Sequence, residues 1–354
     1  MFQKRTTAFF LCLVTSILIF GCASPKGSEE PVEPAQPYDG REYIRESELT
    51  DYADGSDSYI NEYEPVLNPD SMLSVPTYIT KVDDYWFIVD CYHNRVIYSS
   101  DLGAPLNTWL IMCPEVTQPH TMASDGKVYL IDDTENNRVL VYEKMNDKFI
   151  KTQIFSGVGN RPHFSVYDPI SDTFYVWSSQ SGELYCFRHT EDSTRLYLTE
   201  IKKIDALSST YVRSFTIIGS DIYFVSGISS DGTPPQILRC SLKDLSVKES
   251  YAVPDNLAGM IQITPVDDEF YITVSTDRSG NQDYATLIRT SSLKGLMDGE
   301  YEDIYSEYFI GGGTPYNISM ADGSFFLTEH RLWGHSIWRF DIDNGEIKNV
   351  QAIY

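Results

Sequence analysis

One repeated unit constrains the fold of this chain more than any other feature. Pro76, Pro119 and Pro162 open similar stretches at spacings of 43 and 43 residues, and Pro315 follows 153 residues later, the length of three further units. Two weaker copies therefore belong in between, and they begin near Val212 and Ile261. Such a period is typical of architectures in which one supersecondary unit is stacked several times.

Each copy contains a polar turn followed by a short apolar or aromatic run. The runs read DDYWFIVD from Asp83, DGKVYLID from Asp125, SDTFYVWS from Ser171, GSDIYFVS from Gly219, DDEFYITV from Asp267 and DGSFFLTE from Asp322. After a loop, a further strand-like run follows in each copy: NRVIYS, NRVLVY, GELYCF, QILRCS, ATLIRT and SIWRFD. Asp and Gly before β-branched and aromatic residues indicate hairpins and strands, and no sustained helical period is present.

Six units of about 45 residues, each with up to four short strands, predict an all-β fold, a six-bladed β-propeller of four-stranded antiparallel blades. The propeller is expected over residues 71–354, with EIKNVQAIY as the outermost strand of the last blade. Residues 41–70 are expected to be an additional or replacement edge strand at ring closure, or an ordered lead-in.

The pattern Pro-x-x, Asp-Gly, YLIDD and NNRVLVY resembles the NHL-repeat propellers, most clearly over residues 76–98 and 119–142 and loosely over 162–188. The resemblance implies that the Asn-Arg pair ties a loop to the neighbouring strand. We therefore expect Asn94–Arg95 and Asn137–Arg138 to be scaffold. Units four to six keep only the apolar skeleton of the repeat.

The N-terminus carries an export signal. Lys4 and Arg5 precede an apolar run over residues 8–20, which is shorter than the roughly 20 residues that span a bilayer. The run ends in IFGC at 19–22, which resembles a bacterial lipobox, although Phe20 stands where a small residue is usual. The resemblance implies that residues 1–21 are a signal peptide and that Cys22 carries a lipid with acyl chains such as palmitate. An ordinary signal cleaved nearby is the alternative.

The expected location is therefore outside the cytoplasm, with a lipid anchor in the cell membrane or outer membrane. Residues 22–40 begin at the lipidated cysteine and are rich in Pro, Glu, Ser and Gly, which is typical of a flexible tether. The formal net charge is −24, and removal of Lys4 and Arg5 makes it −26. Because such a surface repels polyanions, no nucleic-acid partner is expected.

Four cysteines remain besides Cys12 of the signal and Cys22. They have no Cys-x-x-Cys spacing of a zinc site, and they are Cys91, Cys113, Cys186 and Cys240. An exported chain can oxidise such thiols, with Cys91 and Cys113 as the pair to test. Four buried free thiols are the alternative.

The residue after each opening position provides one candidate per blade for a ligand site. Inner strands start beside the central channel on one face of a propeller, so these side chains converge on a channel mouth. They are Thr77, His120, His163, Arg213, Gln262 and Tyr316. A slip of one residue would replace them by a more apolar set, which is typical of blade core: Tyr78, Thr121, Phe164, Ser214, Ile263 and Asn317.

Arg213 beside two histidines suits an oxyanion such as a carboxylate, sulfate or uronic acid. The main hypothesis is a membrane-anchored binding module for a small polar or anionic ligand, glycan or peptide, with no cofactor and no identified catalytic residue. The alternative without a ligand is that His120 and His163 only form hydrogen bonds with channel water or backbone. An enzyme, a lyase or lactonase with a divalent metal on these two histidines, is the rival class, although a catalytic zinc takes three protein ligands and Arg213 repels cations. A platform for a cell-surface protein, on loops 227–236 and 277–285, is the third.

Other segments carry weaker signals. Glu329, His330 and His335 could form a metal site beside Trp333 as a sugar platform, or belong to a long loop with a half-buried tryptophan. The acidic segments 51–59 and 277–283 could hold calcium but lack the EF-hand spacing. The sequence has no Gly-x-Ser-x-Gly elbow.

Overall fold

The computed structural model of the protein describes residues 65–190 and 193–354. The predicted signal peptide 1–21, Cys22, the tether 22–40, segment 41–64 and the acidic stretch 51–59 lie outside these residues. Within the described part, no helix has the length and apolar character needed to cross a membrane.

The first three blades use strands β1 to β13. Blade one contains β1 (Val66–Leu67), β2 (Pro76–Val82), β3 (Tyr85–Asp90), β4 (Arg95–Ser99) and β5 (Leu110–Cys113). Blade two contains β6 (Met122–Ser124), β7 (Val128–Asp133), β8 (Arg138–Met145) and β9 (Lys148–Ser156). Blade three contains β10 (Pro162–Asp168), β11 (Thr173–Ser178), β12 (Glu183–His189) and β13 (Leu196–Lys203).

The last three blades use strands β14 to β25. Blade four contains β14 (Thr210–Ile218), β15 (Asp221–Ser229), β16 (Gln236–Ser241) and β17 (Val247–Ala252). Blade five contains β18 (Met260–Val266), β19 (Glu269–Val274), β20 (Thr286–Thr290) and β21 (Glu302–Asp303). Blade six contains β22 (Thr314–Ala321), β23 (Ser324–His330), β24 (Ile337–Asp343) and β25 (Glu346–Ala352).

Helical segments are short and lie in the connections. The α-helical turn is α1 (Tyr305–Tyr308). The 3-10 turns are Cys91–His93, Leu106–Thr108, Thr134–Asn136, Asp205–Leu207, Asp255–Leu257, Gln282–Tyr284 and Leu293–Asp298.

These six antiparallel sheets form a six-bladed β-propeller, so the predicted fold class is confirmed. All neighbouring strands within a blade pair in sequence order, and β1 adds a fifth strand to the outer edge of blade one by pairing with β5. The weaker copies expected near Val212 and Ile261 are the inner strands β14 and β18.

The core is divided into six apolar clusters, one at each contact between neighbouring blades. At the first contact, Phe87 and Tyr129 lie with ring centroids 5.4 Å apart. Since each blade is covered on both faces, the second strands are buried along nearly their whole length instead of alternating. This arrangement explains why the sequence shows continuous apolar runs there.

Among the strands of residues 65–190 and 193–354, blades six and one meet by contact and each is built from its own consecutive strands. Ser319 Oγ donates to the carbonyl of Ile79 at 2.6 Å. Thr328 Oγ1 donates to the carbonyl of Thr77 at 3.2 Å. The rings of Trp86 and Phe326 meet edge to face at 5.3 Å between centroids in the sixth cluster. The closing contact is therefore built like the internal ones.

The Asn-Arg pairs are scaffold, as the resemblance implied. Asn137 adopts the left-handed conformation (φ 50°), and its Oδ1 accepts from the backbone N–H of Arg161 at the start of the next unit at 2.8 Å. Arg138 Nε donates to Asp133 at 2.5 Å. Asn94 repeats this arrangement by accepting from Gln118 N at 2.9 Å. Each pair therefore holds the entrance of the following blade.

All four described cysteines are free and buried: Cys91, Cys113, Cys186 and Cys240. The proposed pairing of Cys91 with Cys113 is therefore wrong, and the alternative of buried free thiols holds. Burial raises the pKa of Cys113 to about 12, and it raises the pKa of Cys91 well above its ordinary value. These thiols act as small apolar side chains.

Candidate functional site

Inner strands begin with an irregularity that turns one side chain towards the channel mouth. In blade one, Pro76 pairs with Asp90 and Tyr78 with Val89, so Thr77 is an extra residue. A bulge of this kind re-aims the extra side chain. The equivalent residues in blades three to six are His163, Arg213, Ile261 and Tyr316.

In blade five the register differs by one residue from the sequence alignment. Met260 is the opening residue, because it pairs with Val274, and the bulge therefore falls on Ile261 instead of Gln262. The Gln262 amide is buried and bonded to blade six: Nε2 donates to Ile318 O at 3.2 Å, and Oε1 accepts from Ile318 N at 2.6 Å. Gln262 thus joins two blades.

The remaining one-per-blade candidates differ in role. Thr77 is 1% exposed, and its hydroxyl lies 3.5 Å from the carbonyl of Pro119 in the next unit. Within the alternative set, Phe164 belongs to an inter-blade cluster, and Ser214 Oγ donates to Ile261 O at 2.5 Å. The other residues of the alternative set are also buried or half-buried: Tyr78, Thr121, Ile263 and Asn317.

Four aromatic rings from three blades form a stacked row across the mouth. The imidazoles of His120 and His163 stack with centroids 3.7 Å apart and planes inclined by 26°. Tyr316 lies 6.3 Å from His120 on the other side. His330, at the end of β23, continues the row at 4.8 Å from Tyr316. The structure therefore brings His120, His163 and Tyr316 together.

The hydrogen bonds define which imidazole nitrogens carry a proton. His163 Nδ1 lies 2.9 Å from the carbonyl of Arg213, which can only accept, so Nδ1 donates and Nε2 has the lone pair. His120 Nδ1 lies 3.0 Å from Thr134 Oγ1, which donates its own hydrogen to Pro162 O at 2.7 Å. His120 Nδ1 therefore donates as well.

The histidines of this row are neutral at physiological pH. Burial, reinforced by Arg161 and Arg213, lowers the pKa of His120 to about 3. Burial, His120 and Arg213 hold the pKa of His163 well below its ordinary value. Burial and Arg213 lower the pKa of His330 to about 3. The imidazoles are thus hydrogen-bonding groups, and the positive charge at the mouth resides on arginine.

Arg213 lies at the edge of this row and is partly exposed. Its guanidinium stacks on Tyr211, 5.0 Å from the ring centroid, and Tyr211 meets His163 edge to face at 5.7 Å. Arg161 is neutralised by an ion pair with Glu135. Among the described residues, no carboxylate forms an ion pair with Arg213.

Tyr316 contributes a second group without a partner. Its hydroxyl is buried and makes no hydrogen bond within the described chain. Burial raises the pKa of Tyr316 well above its ordinary value, with Tyr211 and Arg213 among the nearby groups that shift it. The hydroxyl is therefore a permanent neutral donor within the row of rings at the mouth. A buried unpaired donor costs about 1–3 kcal/mol, which a bound ligand or water offsets.

The Cys91–His120 contact is not an activated nucleophile. Cys91 Sγ lies 3.9 Å from His120 Nε2. Burial comes first among the causes that raise the pKa of Cys91, and Asp132 and Asp90 add to it. Since the reactive form of cysteine is the thiolate, this site disfavours covalent catalysis. Asp132 instead anchors the loop by accepting from the backbone N–H of His120 at 2.6 Å.

The metal-site candidates in the last blade do not converge. His330 faces Tyr316, whereas His335 stacks on Trp338 at 5.3 Å, and the Glu329 carboxylate accepts from the Tyr305 hydroxyl. Trp333 is 81% exposed and not half-buried. In the described part of the chain, no group of three His, Cys, Asp or Glu side chains could hold a metal ion.

The 277–283 loop is an internally bonded turn. Asp277 Oδ1 accepts from the backbone N–H of Ser279 and of Asn281, each at 2.8 Å. Arg278 pairs with Asp255 at 3.2 Å. The oxygens that calcium would need are thus partly engaged.

Sequence analysis missed Tyr211 and assigned His330 to a different kind of site. Thr314 pairs with His330 across the β22–β23 hairpin, so counting that hairpin's register from its turn at Asp322–Gly323 would have placed His330 beside Tyr316. Tyr211 precedes Arg213 by two residues in β14 and therefore projects to the same face.

Comparison with solved structures supports the fold. A 6-phosphogluconolactonase candidate from Bacteroides uniformis superposes with a TM-score of 0.55 at 13% identity, covering 80% of this chain and 85% of that one. A second candidate, from Bacteroides fragilis, gives 0.55 at 14% identity, with 79% and 84% covered. The streptogramin B lyase structure gives 0.51 at 15% identity, with 83% and 86% covered.

No protein-family model and no curated protein sequence matches the chain. At these low identities the superpositions establish a shared propeller architecture, and propellers host many unrelated activities.

Proposed function

We propose that this propeller is a binding module that holds a small anionic ligand at the channel mouth through Arg213. The carrying observation is the juxtaposition of two free donors in one site. Arg213 has no ion-paired carboxylate among the described residues and reaches the row of rings through Tyr211, and the buried hydroxyl of Tyr316 in the same row has no partner. A guanidinium and a hydroxyl together match a carboxylate or sulfate.

The charge of the surroundings supports an anion at this point. The three histidines of the row are neutral, so they do not compete for the ligand's charge. In a chain of net charge −24, an unpaired arginine at the mouth is a local positive charge. An anion therefore binds there in preference to the acidic remainder of the surface.

The lone pair on His163 Nε2 favours a ligand that also donates hydrogen bonds. Because its Nδ1 is committed to Arg213 O, the other nitrogen can only accept. A hydroxy acid offers both features, since its acid group accepts from Arg213 and its hydroxyl donates to imidazole. The proposed ligand class is therefore a sugar acid or another small hydroxylated anion.

The proposed location is the outer side of a membrane, with the propeller tethered through a lipid on Cys22. The support is the apolar run at 8–20, the IFGC segment and the Pro- and Glu-rich stretch that follows. Two or more acyl chains would anchor such a chain stably.

A hydrolase of the lactonase type is the second candidate function. The favouring observation is that two structures of similar fold are 6-phosphogluconolactonase candidates, whose name specifies a phosphorylated sugar lactone. Turnover distinguishes the two candidate functions. A lactonase opens the lactone at a rate that depends on the mouth residues, whereas a binding module leaves the lactone intact.

Calorimetric titration tests the proposal with a matched pair of ligands. D-Galacturonate carries the carboxylate, and D-galactose has the same ring without it. Galacturonate is expected to bind and galactose to bind at least about tenfold more weakly, because a hydrogen bond to a charged group contributes about 1.5–3 kcal/mol. Arg213→Ala should abolish galacturonate binding, and the exposed Arg339→Ala serves as the control. Equal binding of both sugars, or an unchanged Arg213→Ala variant, would refute the proposal.

A further inference from the structure

A cleft lies between the segment before β2 and the loop between β23 and β24. Its volume is about 450 Å³, within the range of small-ligand sites. The lining includes Asp70, Met72, Ser74, His330, Trp333 and Ser336. We propose that this cleft is a carbohydrate-binding site, in which Trp333 stacks on the apolar face of a neutral saccharide. The cleft shares His330 with the row of rings at the channel mouth, but the proposal rests on Trp333 and not on Arg213.

Trp333 is the observation that first indicates a ligand. Its side chain is 81% exposed, whereas the other four tryptophans are between 0% and 7% exposed: Trp86, Trp109, Trp177 and Trp338. Exposing an indole to water is unfavourable, and the free-energy cost is proportional to the apolar area left unburied. The same flat face is what a pyranose ring with axial C–H groups covers, so saccharide binding removes the exposed area without a large partner surface.

The loop that carries Trp333 is held in place by hydrogen bonds. Arg331 adopts a positive φ of 75°, which is unfavourable for a side chain of its size. Its guanidinium donates to the carbonyls of Gln282 at 3.1 Å and Gly312 at 3.0 Å. His335 Nδ1 lies 3.0 Å from the carbonyl of Trp333. The indole is therefore presented on a fixed support, which reduces the entropy lost on binding.

An unpaired buried nitrogen provides the second, independent indication. His330 lines the cleft, and its Nε2 is buried without a hydrogen-bond partner in the described chain. Burial and Arg213 lower the pKa of His330 to about 3, so the ring is neutral. No group of the described residues bonds to Nε2, so the neutral ring offers this nitrogen to a sugar hydroxyl.

The lining has no excess of positive charge: it holds the carboxylates of Asp70 and Glu329 and the guanidinium of Arg331, which is bonded to backbone carbonyls. The carboxylate of Asp70 is 43% exposed, and its partner Arg95 already divides its charge between Asp70 and Asp90. The cleft also contains Glu329 and offers Ser71, Ser74 and Ser336 as hydrogen-bonding hydroxyls. A carboxylate that accepts from paired hydroxyls favours a neutral sugar, whereas it repels a sugar acid.

Acrylamide quenching of tryptophan fluorescence reads out this cleft directly, because Trp333 is the exposed tryptophan. The full chain is titrated with cellohexaose, chitohexaose and maltohexaose, and binding is checked on an array of neutral glycans. The expected result is that at least one neutral oligosaccharide protects the indole from quenching. Failure of every sugar of the panel and the array would overturn the proposal. So would an indole already shielded in the ligand-free full chain, because the cleft would then be covered by the protein itself.

Four variants separate loss of stacking from loss of folding. Trp333→Ala should lower the affinity for the sugar about tenfold or more, and Trp333→Phe should retain most of the affinity, since another aromatic ring preserves the stacked contact. Tyr284→Ala removes an exposed aromatic ring of blade five and should change nothing. Arg213→Ala should also leave this sugar bound, which distinguishes the cleft from the channel mouth. Equal affinity of Trp333→Ala and the parent protein would contradict the proposal.

Discussion

Arg95 and Arg138 occupy the same place in two successive blades but differ in exposure. The Arg95 side chain is 5% exposed and bridges the buried Asp90 and Asp70, whereas the Arg138 side chain is 28% exposed beside Asp133. Removing one partner of a buried ion pair leaves an uncompensated charge, which costs more when the remaining carboxylate keeps fewer other donors.

We predict that Arg95→Met lowers the free energy of unfolding by about 3–5 kcal/mol. Arg138→Met should cost about 1–3 kcal/mol, because the Asn136 amide and the Thr117 N–H still donate to the buried Asp133 carboxylate. Urea unfolding of both variants measures the difference. Equal losses in the free energy of unfolding would show that burial does not determine how much these ion pairs stabilise the fold.

The neutral histidines make stability depend on pH. The pKa of His330 is lowered in the folded state to about 3, whereas an unfolded histidine titrates near 6.5. The unfolded chain therefore binds more protons between these values, and stability is lost as the pH falls through this window.

We predict a slope of about 1.4 kcal/mol per pH unit from this residue between pH 6 and 4, absent in His330→Gln. Burial raises the pKa of Asp132 to about 7, which contributes a slope of opposite sign in both proteins and cancels in the comparison. Urea unfolding at several pH values provides the slopes. Parallel pH profiles for the two proteins would mean that His330 is not buried as described.

At the scale of the strands, the Gln262 side chain links blades five and six by hydrogen bonds. Its amide satisfies both the N–H and the carbonyl of Ile318. Gln262→Met keeps the length of the side chain and strands two backbone groups, so we predict a loss of about 2–5 kcal/mol in the free energy of unfolding. Gln236→Met, at a less buried position that bonds Ser250, is the control and should lose less than about 1 kcal/mol. Chemical denaturation compares the two, and similar losses would contradict this role.

The strands were predictable from sequence because turn residues and buried runs are local signals. Asp83, Asp267 and Asp322 all adopt positive φ in the hairpin turns that their position predicted. The mouth was less predictable, since bulges shift the register by one residue and leave no local signature. Unit five has Met260 where units one, two, three and six have proline, so Gln262 was aligned with Arg213 although Ile261 is its equivalent.

On the scale of the whole molecule, the ring requires six equivalent contacts. Phe326 packs on Trp86 where blade six meets blade one, and Phe224 packs on Trp177 between blades three and four. Both phenylalanines are buried to the same degree, at 1% and 0% exposure.

We predict that Phe326→Ala and Phe224→Ala each cost about 3–5 kcal/mol and that both variants still unfold in one transition. Differential scanning calorimetry tests the closing contact against the internal one. An early, separate transition in Phe326→Ala alone would show that the ring opens there first and that the closing contact is weaker.

Anomalous diffraction from crystals soaked in selenate tests the central claim, an anion site at Arg213, most directly. The account predicts an ordered selenate within hydrogen-bond distance of the Arg213 guanidinium and the Tyr316 hydroxyl, lost in Arg213→Ala crystals. Selenate found only at exposed arginines such as Arg339, with Arg213 bonded to a carboxylate of the protein, would contradict it.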